Sequence, residues 1–411
     1  MAIIRPFKGI RPAPHLAAQV AALPYDVMSS EEAREMAKGN PHSFLRVDKA
    51  EVDLDEDIDL YDNRVYQKAR ENLDKMRREG VLIQDETPAF YIYQLEMNGR
   101  LQTGLVVCTS IDEYQNNTIK KHERTREDKE LDRIRHVDIC NANTGPIFTT
   151  YRAEASIRSM LLDFTEEHAP IYDFIAEDGI GHRAWMIAEA EVIAALVKAF
   201  AAVPYLYIAD GHHRTASAAK VGLKRRAENP NYDQEANFNF YLSVLFPHDE
   251  LCIMDYNRLV KDLNNRNKEA FLAQIEERFI VEKTAKSSPT KRHEFTMYLD
   301  GQWYKLEAKP ESIPADSVKS LDVSILQEEL LGPILGIDDP RVNKRIDFVG
   351  GLRGLDELVR RVDRGEMQVA FALYPTSMEE LMQVADEDRL MPPKSTWFEP
   401  KLRSGLFIHE L

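Results

Sequence analysis

Asp210, Gly211, His212, His213 and Arg214 stand in a row between an apolar stretch, YLYIA, and an alanine-rich run that begins TASA. A carboxylate, a glycine, two imidazoles and a guanidinium can move protons and hold anions. Arg214 offers a planar fork that matches two phosphate oxygens. Gly211 lets backbone come close to a ligand. If a helix starts here, its first turn presents unpaired N–H groups and the positive end of the helix dipole, where phosphates settle. Thr215 adds a hydroxyl to that turn. His212 and His213 are neighbours, about 100° apart around a helix, so they do not easily share one small metal ion. Asp210 falls at the carboxyl end of a strand, where open α/β sheets place ligand contacts. The plainer alternative is that Asp210 is only a helix N-cap.

Three further stretches carry chemistry. Lys120, Lys121, His122, Glu123, Arg124 and Thr125 combine cations with an acid and an imidazole. A solvated, charged helix explains them equally well. If they instead share a site with Arg214, the backbone over 120–125 must be irregular or end a helix, because on a regular helix they diverge. Asp26, in LPYDV, is a third candidate, set against the role of a helix-entry turn. The C-terminal MPPKSTWFEPKLRSGL either packs as structure or completes an anion site through Lys394, Ser395, Thr396 and Lys401. The chain has no GxxxxGK[ST] loop, no GxGxxG after a strand, no GxSxG and no HExxH.

These residues need elements to position them. YLYIAD reads as a strand and HHRTASAAKVGLKRRAE as a helix. SSEEAREMAKGN reads as a helix capped by Ser29 or Ser30 and stopped by Gly39-Asn40-Pro41. SFLRV reads as a strand, DKAEVDLDEDIDLYD as a loop, and NRVYQKARENLDKMRREG as a helix. Hairpins are expected around Asn98-Gly99 and Asp300-Gly301. AWMIAEAEVIAALVKAFAAV reads as a core helix, since Glu189, Glu191 and Lys198 are costly in lipid. The alternation of strands and helices predicts a mixed α/β, or α+β, fold.

Composition limits the possibilities. A chain of 411 residues is expected to form two or three domains. A formal net charge of -16 argues against a broad nucleic-acid surface. Cys108, Cys140 and Cys252 are far apart, which predicts neither a disulfide framework nor a zinc cage and fits a reducing cytoplasm. No membrane partner is expected.

DGHHR at a strand–helix turn resembles the phosphate-facing signature of the ParB/sulfiredoxin superfamily. RPFKGIRP, PYDVMSSEEA, HERT, NTGPIF, ADGHHRTASA and MPPKSTWFEPKLRSGL, spread from Arg5 to Leu406, resemble a large prokaryotic family of uncharacterised proteins. That family is similar to an enlarged form of the archaeal free serine kinases. The resemblance implies that Gly211, His213 and Arg214 hold phosphate, that the substrate is serine or phosphoserine, and that ATP or ADP with Mg²⁺ takes part. It leaves the base open among Asp26, Glu123 and Asp210. The expected layout is a ParB/sulfiredoxin-like phosphate-binding core over 1–235, with the hairpin and HERT segment inserted, and a C-terminal α+β domain over 236–411 whose tail folds back. In this reading Asp210, His213, Glu123 and Asp26 are the catalytic candidates. Gly211, His212, His213, Arg214, Thr215, Lys120, His122 and Arg124 are the phosphate or nucleotide ligands. Two alternatives stand beside it: a nucleotide-dependent ParB-like switch or DNA-binding module, and a metal-dependent phosphohydrolase using His122, His182, His212 and His213.

Overall fold

The computed structural model describes residues 2–411, and its fold is mixed α/β. It divides into two units. The first runs to Lys121, resumes over Thr125–Leu251 and ends with Pro400–Leu411; the second is His122–Arg124 with Cys252–Glu399. The sequence reading put the division at 235. It falls at Leu251 because Phe240–Pro247 is an inner strand of the first unit's sheet, bonded on both sides.

Among the described residues that sheet has nine strands. Phe90–Met97 and Arg100–Ser110 form the hairpin around Asn98-Gly99, with φ of 54° and 75° at the turn. These positive angles are what a two-residue hairpin turn needs. The hairpin lies inside the sheet and not on an appended insertion, since Arg100–Ser110 also pairs with Phe240–Pro247 and Phe90–Met97 with Gly181–Ile187. Near one edge, Leu206–Asp210 runs parallel to Ile119–Lys120 and antiparallel to Ile147–Tyr151. A register shift between Ile208 and Asp210 marks where that strand leaves the ladder.

Two apolar clusters support this unit. One packs Ile92, Leu105, Ile208 and Leu245 of the sheet against Leu161, Leu196 and Phe200 of two helices. The other joins Ala33, Leu45, Ala69 and Leu73 to Ile408 of the tail. Helix Ser30–Ala37 is capped by Ser29, with Glu32 closing a capping box. The tail is fixed by strand pairing of His409 with Asn143 and by reciprocal backbone bonds between Ile10 and Ile408.

Two elements differ from the sequence reading. Leu45–Asp48 is a short helix, not a strand; the Arg46 guanidinium donates to the carbonyls of Ala37 and Asn40, which closes the segment on itself. AWMI belongs to the strand Gly181–Ile187, and the helix starts only at Ala190, because pairing with Phe90–Met97 captures that stretch. The acidic segment contains a 3-10 turn, Ala50–Asp53.

The second unit has a six-stranded antiparallel sheet among its described residues, with Tyr256–Val260 and Val369–Leu373 inside it and the Asp300-Gly301 hairpin, Glu294–Leu299 with Gln302–Ala308, toward one side. Leu358 of helix Gly354–Asp363 packs on Leu259 and Ala370 of that sheet. Among the described residues no helix is long and apolar enough to cross a membrane.

Candidate functional site

Strand Leu206–Asp210 gives way at Gly211 to helix His212–Glu228. Gly211 has φ +95°, a left-handed conformation that glycine adopts without strain. Gly211 is the N-cap residue, so the helix start has no cap from an N-cap side chain. Asp210 therefore is not the N-cap; its Oδ1 accepts from the Gly211 N–H at 2.7 Å instead.

The Arg214 guanidinium folds back over this turn. A Cβ on Gly211 would lie 3.2 Å from Arg214 Nε and 3.3 Å from Cζ. Arg214 Nη1 donates to the Pro146 carbonyl at 2.7 Å, so the glycine–proline turn fixes the fork. Nε is buried and has no hydrogen-bond partner among the described residues. An unmet buried donor costs on the order of 1–3 kcal/mol, so a position like this calls for a partner.

Lys401 of the tail pairs with Asp210, Nζ to Oδ2 at 3.1 Å. Burial disfavours the charged carboxylate. Lys401 and Arg214, with hydrogen bonds from Lys401 and the Gly211 N–H, outweigh that and hold Asp210 far below the ordinary carboxylate range. A carboxylate that stable is a poor base and a good anchor. His213 Nε2 accepts from the Arg126 N–H at 3.0 Å, so its proton sits on Nδ1. Burial pushes the His213 pKa down, against the pull of Asp26 and Glu130. Thr215 is fully buried and donates to the Gly211 carbonyl at 3.1 Å. His212 is buried on the same turn.

The charged run leaves strand Ile119–Lys120 at the same end of the sheet as the Gly211 turn, since the two strands are parallel. Its backbone is irregular until helix Glu127–Cys140 begins. Lys120 is buried with its ammonium over the Tyr205 ring, 4.8 Å from the centroid, and Lys121 lies over Tyr114 at 4.1 Å. Thr125 donates to Glu130, which also pairs with Lys220. His122, Glu123 and Arg124 belong to the second unit, where the His122 carbonyl accepts from the Met391 N–H at 2.7 Å. Lys394 is exposed in that unit, and its carbonyl accepts from Arg258 at 2.8 Å.

Asp26 lines a cleft of about 380 Å³ in the first unit. Sequence reasoning missed most of this cleft. Helix Glu127–Cys140 supplies Lys129, Asp132, Arg133 and His136, and residues 25–66 supply Tyr25, Asp48, Lys49 and Glu51. Arg133 is 9% exposed, its Nε on Asp132 at 2.9 Å and its guanidinium over the Tyr25 ring at 4.0 Å. Asp132, opposed by burial, is held down by Arg133 and by the Tyr66 hydroxyl, which donates to it at 2.9 Å. Burial, then Arg133, pushes His136 down; its Nε2 bonds the Val47 carbonyl at 3.0 Å. A niche of about 20 Å³ adjoins, lined by Arg214, Gly145 and Thr144 and sharing Tyr25, Asp48, Arg133 and His136 with the cleft.

The four histidines of the metal alternative do not form one cluster. His182 bonds the Tyr93 hydroxyl at 2.8 Å and faces Arg403, while His213 faces Arg126. Among the described residues no group of three or more His, Cys, Asp or Glu side chains is arranged to hold a metal ion.

No curated protein matches the chain. Solved structures similar to it include a conserved hypothetical protein from Pyrococcus furiosus, 13% identical, covering 74% of this chain and 94% of that one, with a TM-score of 0.36. A free serine kinase in complex with AMP is 13% identical over 74% of this chain and 92% of its own, with a TM-score of 0.38. SbnI with a C-terminal truncation, from Staphylococcus aureus, is 10% identical over 73% and 85%, with a TM-score of 0.37. The sequence profile of the family described as Protein of unknown function (DUF1015) matches residues 4–324, through both the Gly211 turn and the cleft, and the chain therefore belongs to the DUF1015 family.

Proposed function

We propose that the protein is a phosphotransferase on a small hydroxyl-bearing metabolite of the serine or phosphoserine kind, with ATP or ADP as the nucleotide. One observation carries this reading: the Arg214 guanidinium is pinned against Gly211 and on the Pro146 carbonyl, and its buried Nε is left without a partner beside a helix start whose N-cap is a glycine. Phosphate oxygens satisfy both kinds of donor.

Phosphoryl transfer is mostly positioning and charge neutralisation. A bound nucleotide supplies the phosphoryl group. In the transfer the acceptor's hydroxyl oxygen forms the new P–O bond, the P–O bond to the leaving nucleotide breaks with its electron pair, and the hydroxyl proton passes to a carboxylate. Arg214 and the first-turn N–H groups face the oxygens where charge accumulates. Asp210, ion-paired with Lys401, orients the turn. Asp26, exposed on the cleft and acting on His213, is the base in this reading. His213 holds the segment entering helix Glu127–Cys140 through the Arg126 N–H. Mg²⁺ has no dedicated ligand cage among the described residues, and its place would be on the nucleotide phosphates with at most one or two carboxylates.

The test is to incubate the full chain with serine, phosphoserine and related hydroxy metabolites, each with ATP, ADP or no nucleotide, and to follow products by mass spectrometry. A phosphoryl group gained or lost by a serine-like metabolite is expected. Folded protein that leaves the whole panel unchanged overturns the reading.

A further inference from the structure

The cleft has chemistry that the phosphate turn does not use. Its volume of about 380 Å³ lies in the range of sites that enclose metabolites and cofactors, roughly 300–1,000 Å³. The adjoining niche of about 20 Å³ has room for about one water-sized group, so the bulk of any ligand stays in the cleft. Most of the buried charges there satisfy one another. Lys49 pairs with Glu51 at 3.0 Å, Asp132 holds Arg133 Nε at 2.9 Å, and Thr144 donates to Asp48 at 2.6 Å.

Two cations keep capacity. Arg133 bonds through Nε and, at 3.5 Å, through Nη1, while its Nη2 has no hydrogen-bond partner among the described residues. Lys129 reaches the Tyr61 hydroxyl at 3.4 Å. Leu60 and Val65 give the cleft an apolar wall. An anion that met both Arg133 Nη2 and Lys129 would satisfy the remaining donors, and a carbon chain attached to it would cover the wall.

We infer that this cleft is the acceptor pocket and that it takes a carboxylate-bearing metabolite with a carbon body larger than that of serine, its acid group read by Arg133. This rests on the phosphotransferase reading above. Arg133 is a substrate-binding residue here, buried in the wall of the cleft and stacked on Tyr25. Arginine suits the role because its fork holds a planar carboxylate and still keeps Asp132.

Titration calorimetry on the full chain tests this with L-serine, L-homoserine and 5-hydroxy-L-norvaline, each also as its carboxamide. The longer carboxylates should bind more tightly than serine, and at least tenfold more tightly than their carboxamides. Arg133→Lys should lose about tenfold for the carboxylates and little for the carboxamides. Lys129→Ala, on the half-buried rim, should lose less in the same pattern, and it keeps the test open if Arg133→Lys fails to fold. Carboxamides binding as well as acids, no binding by any compound, or affinities unmoved in both variants would overturn the inference. If the binding pattern holds but no phosphoryl transfer occurs, the phosphotransferase reading falls alone. If transfer occurs and Arg133→Lys leaves the acceptor KM unmoved, the acceptor assignment falls alone.

Discussion

Gly99 and Gly211 have similar backbones and opposite surroundings. Their φ angles are +75° and +95°. A Cβ added at Gly99 would meet no described atom within 4 Å, whereas one at Gly211 would meet the Arg214 guanidinium at 3.2 Å. Gly99 is needed only because its hairpin turn demands a left-handed residue. Gly211 is needed for that and for the close approach of a cation to the backbone. The difference separates a glycine that shapes a turn from one that builds a site.

The largest expected effect comes from the cation itself. Arg214→Lys removes the fork and keeps the charge, so turnover and phosphate binding should fall by about 10²–10³-fold. Loss of the bond to Pro146 should cost only about 1–3 kcal/mol of stability in urea denaturation. Near-normal activity in this variant would reduce the Arg214 contact to packing.

Histidines extend the contrast between structure and site. His182 and His409 are buried in the core, and burial pushes their pKa values down to about 3 and about 4. An unfolded histidine titrates near 6.5. Between about pH 6.5 and pH 4 these two residues therefore bind protons in the unfolded chain that the fold refuses, and their contribution to stability falls as pH falls. Each residue should contribute about 1.4 kcal/mol per pH unit over that window. Glu113 and Asp322, whose pKa values burial raises to about 7, act in the opposite direction, so the test compares the change in urea midpoint between pH 7 and 5.5 in the wild type and in His182→Gln; the same change in both would contradict it.

The glycines give the smaller effects. Gly211→Ala should cost about 1–2 kcal/mol for a left-handed alanine and should also displace Arg214, so activity falls more than stability. Gly99→Ala should cost a similar 1–2 kcal/mol in stability and leave activity per folded molecule unchanged. Equal activity losses at both positions would erase the distinction between them.

The turn was legible in the sequence because its chemistry is contiguous: a strand, five polar or permissive residues, then a helix. Both Asx-Gly hairpins and the Ser29 cap were legible for the same reason. The cleft was not. Asp132, Arg133 and His136 lie in a run whose charges fit a solvated helix, and only packing against residues 25–66 buries them. SFLRV has strand-forming side chains, yet Arg46 bonds the carbonyls of Ala37 and Asn40 and a helix results. Lys401 stood in the tail as one of several cations. Its pairing with Asp210 joins residues 191 positions apart, a distance no local pattern spans.

The central claim is that the Gly211 turn holds phosphate. A crystal structure of the full chain grown with ADP tests it most directly. The account predicts a phosphate oxygen within hydrogen-bond reach of Arg214 Nε, about 2.7–3.2 Å, and of the first N–H groups of helix His212–Glu228. ADP bound elsewhere, with Arg214 Nε still unpartnered beside Gly211, would contradict it.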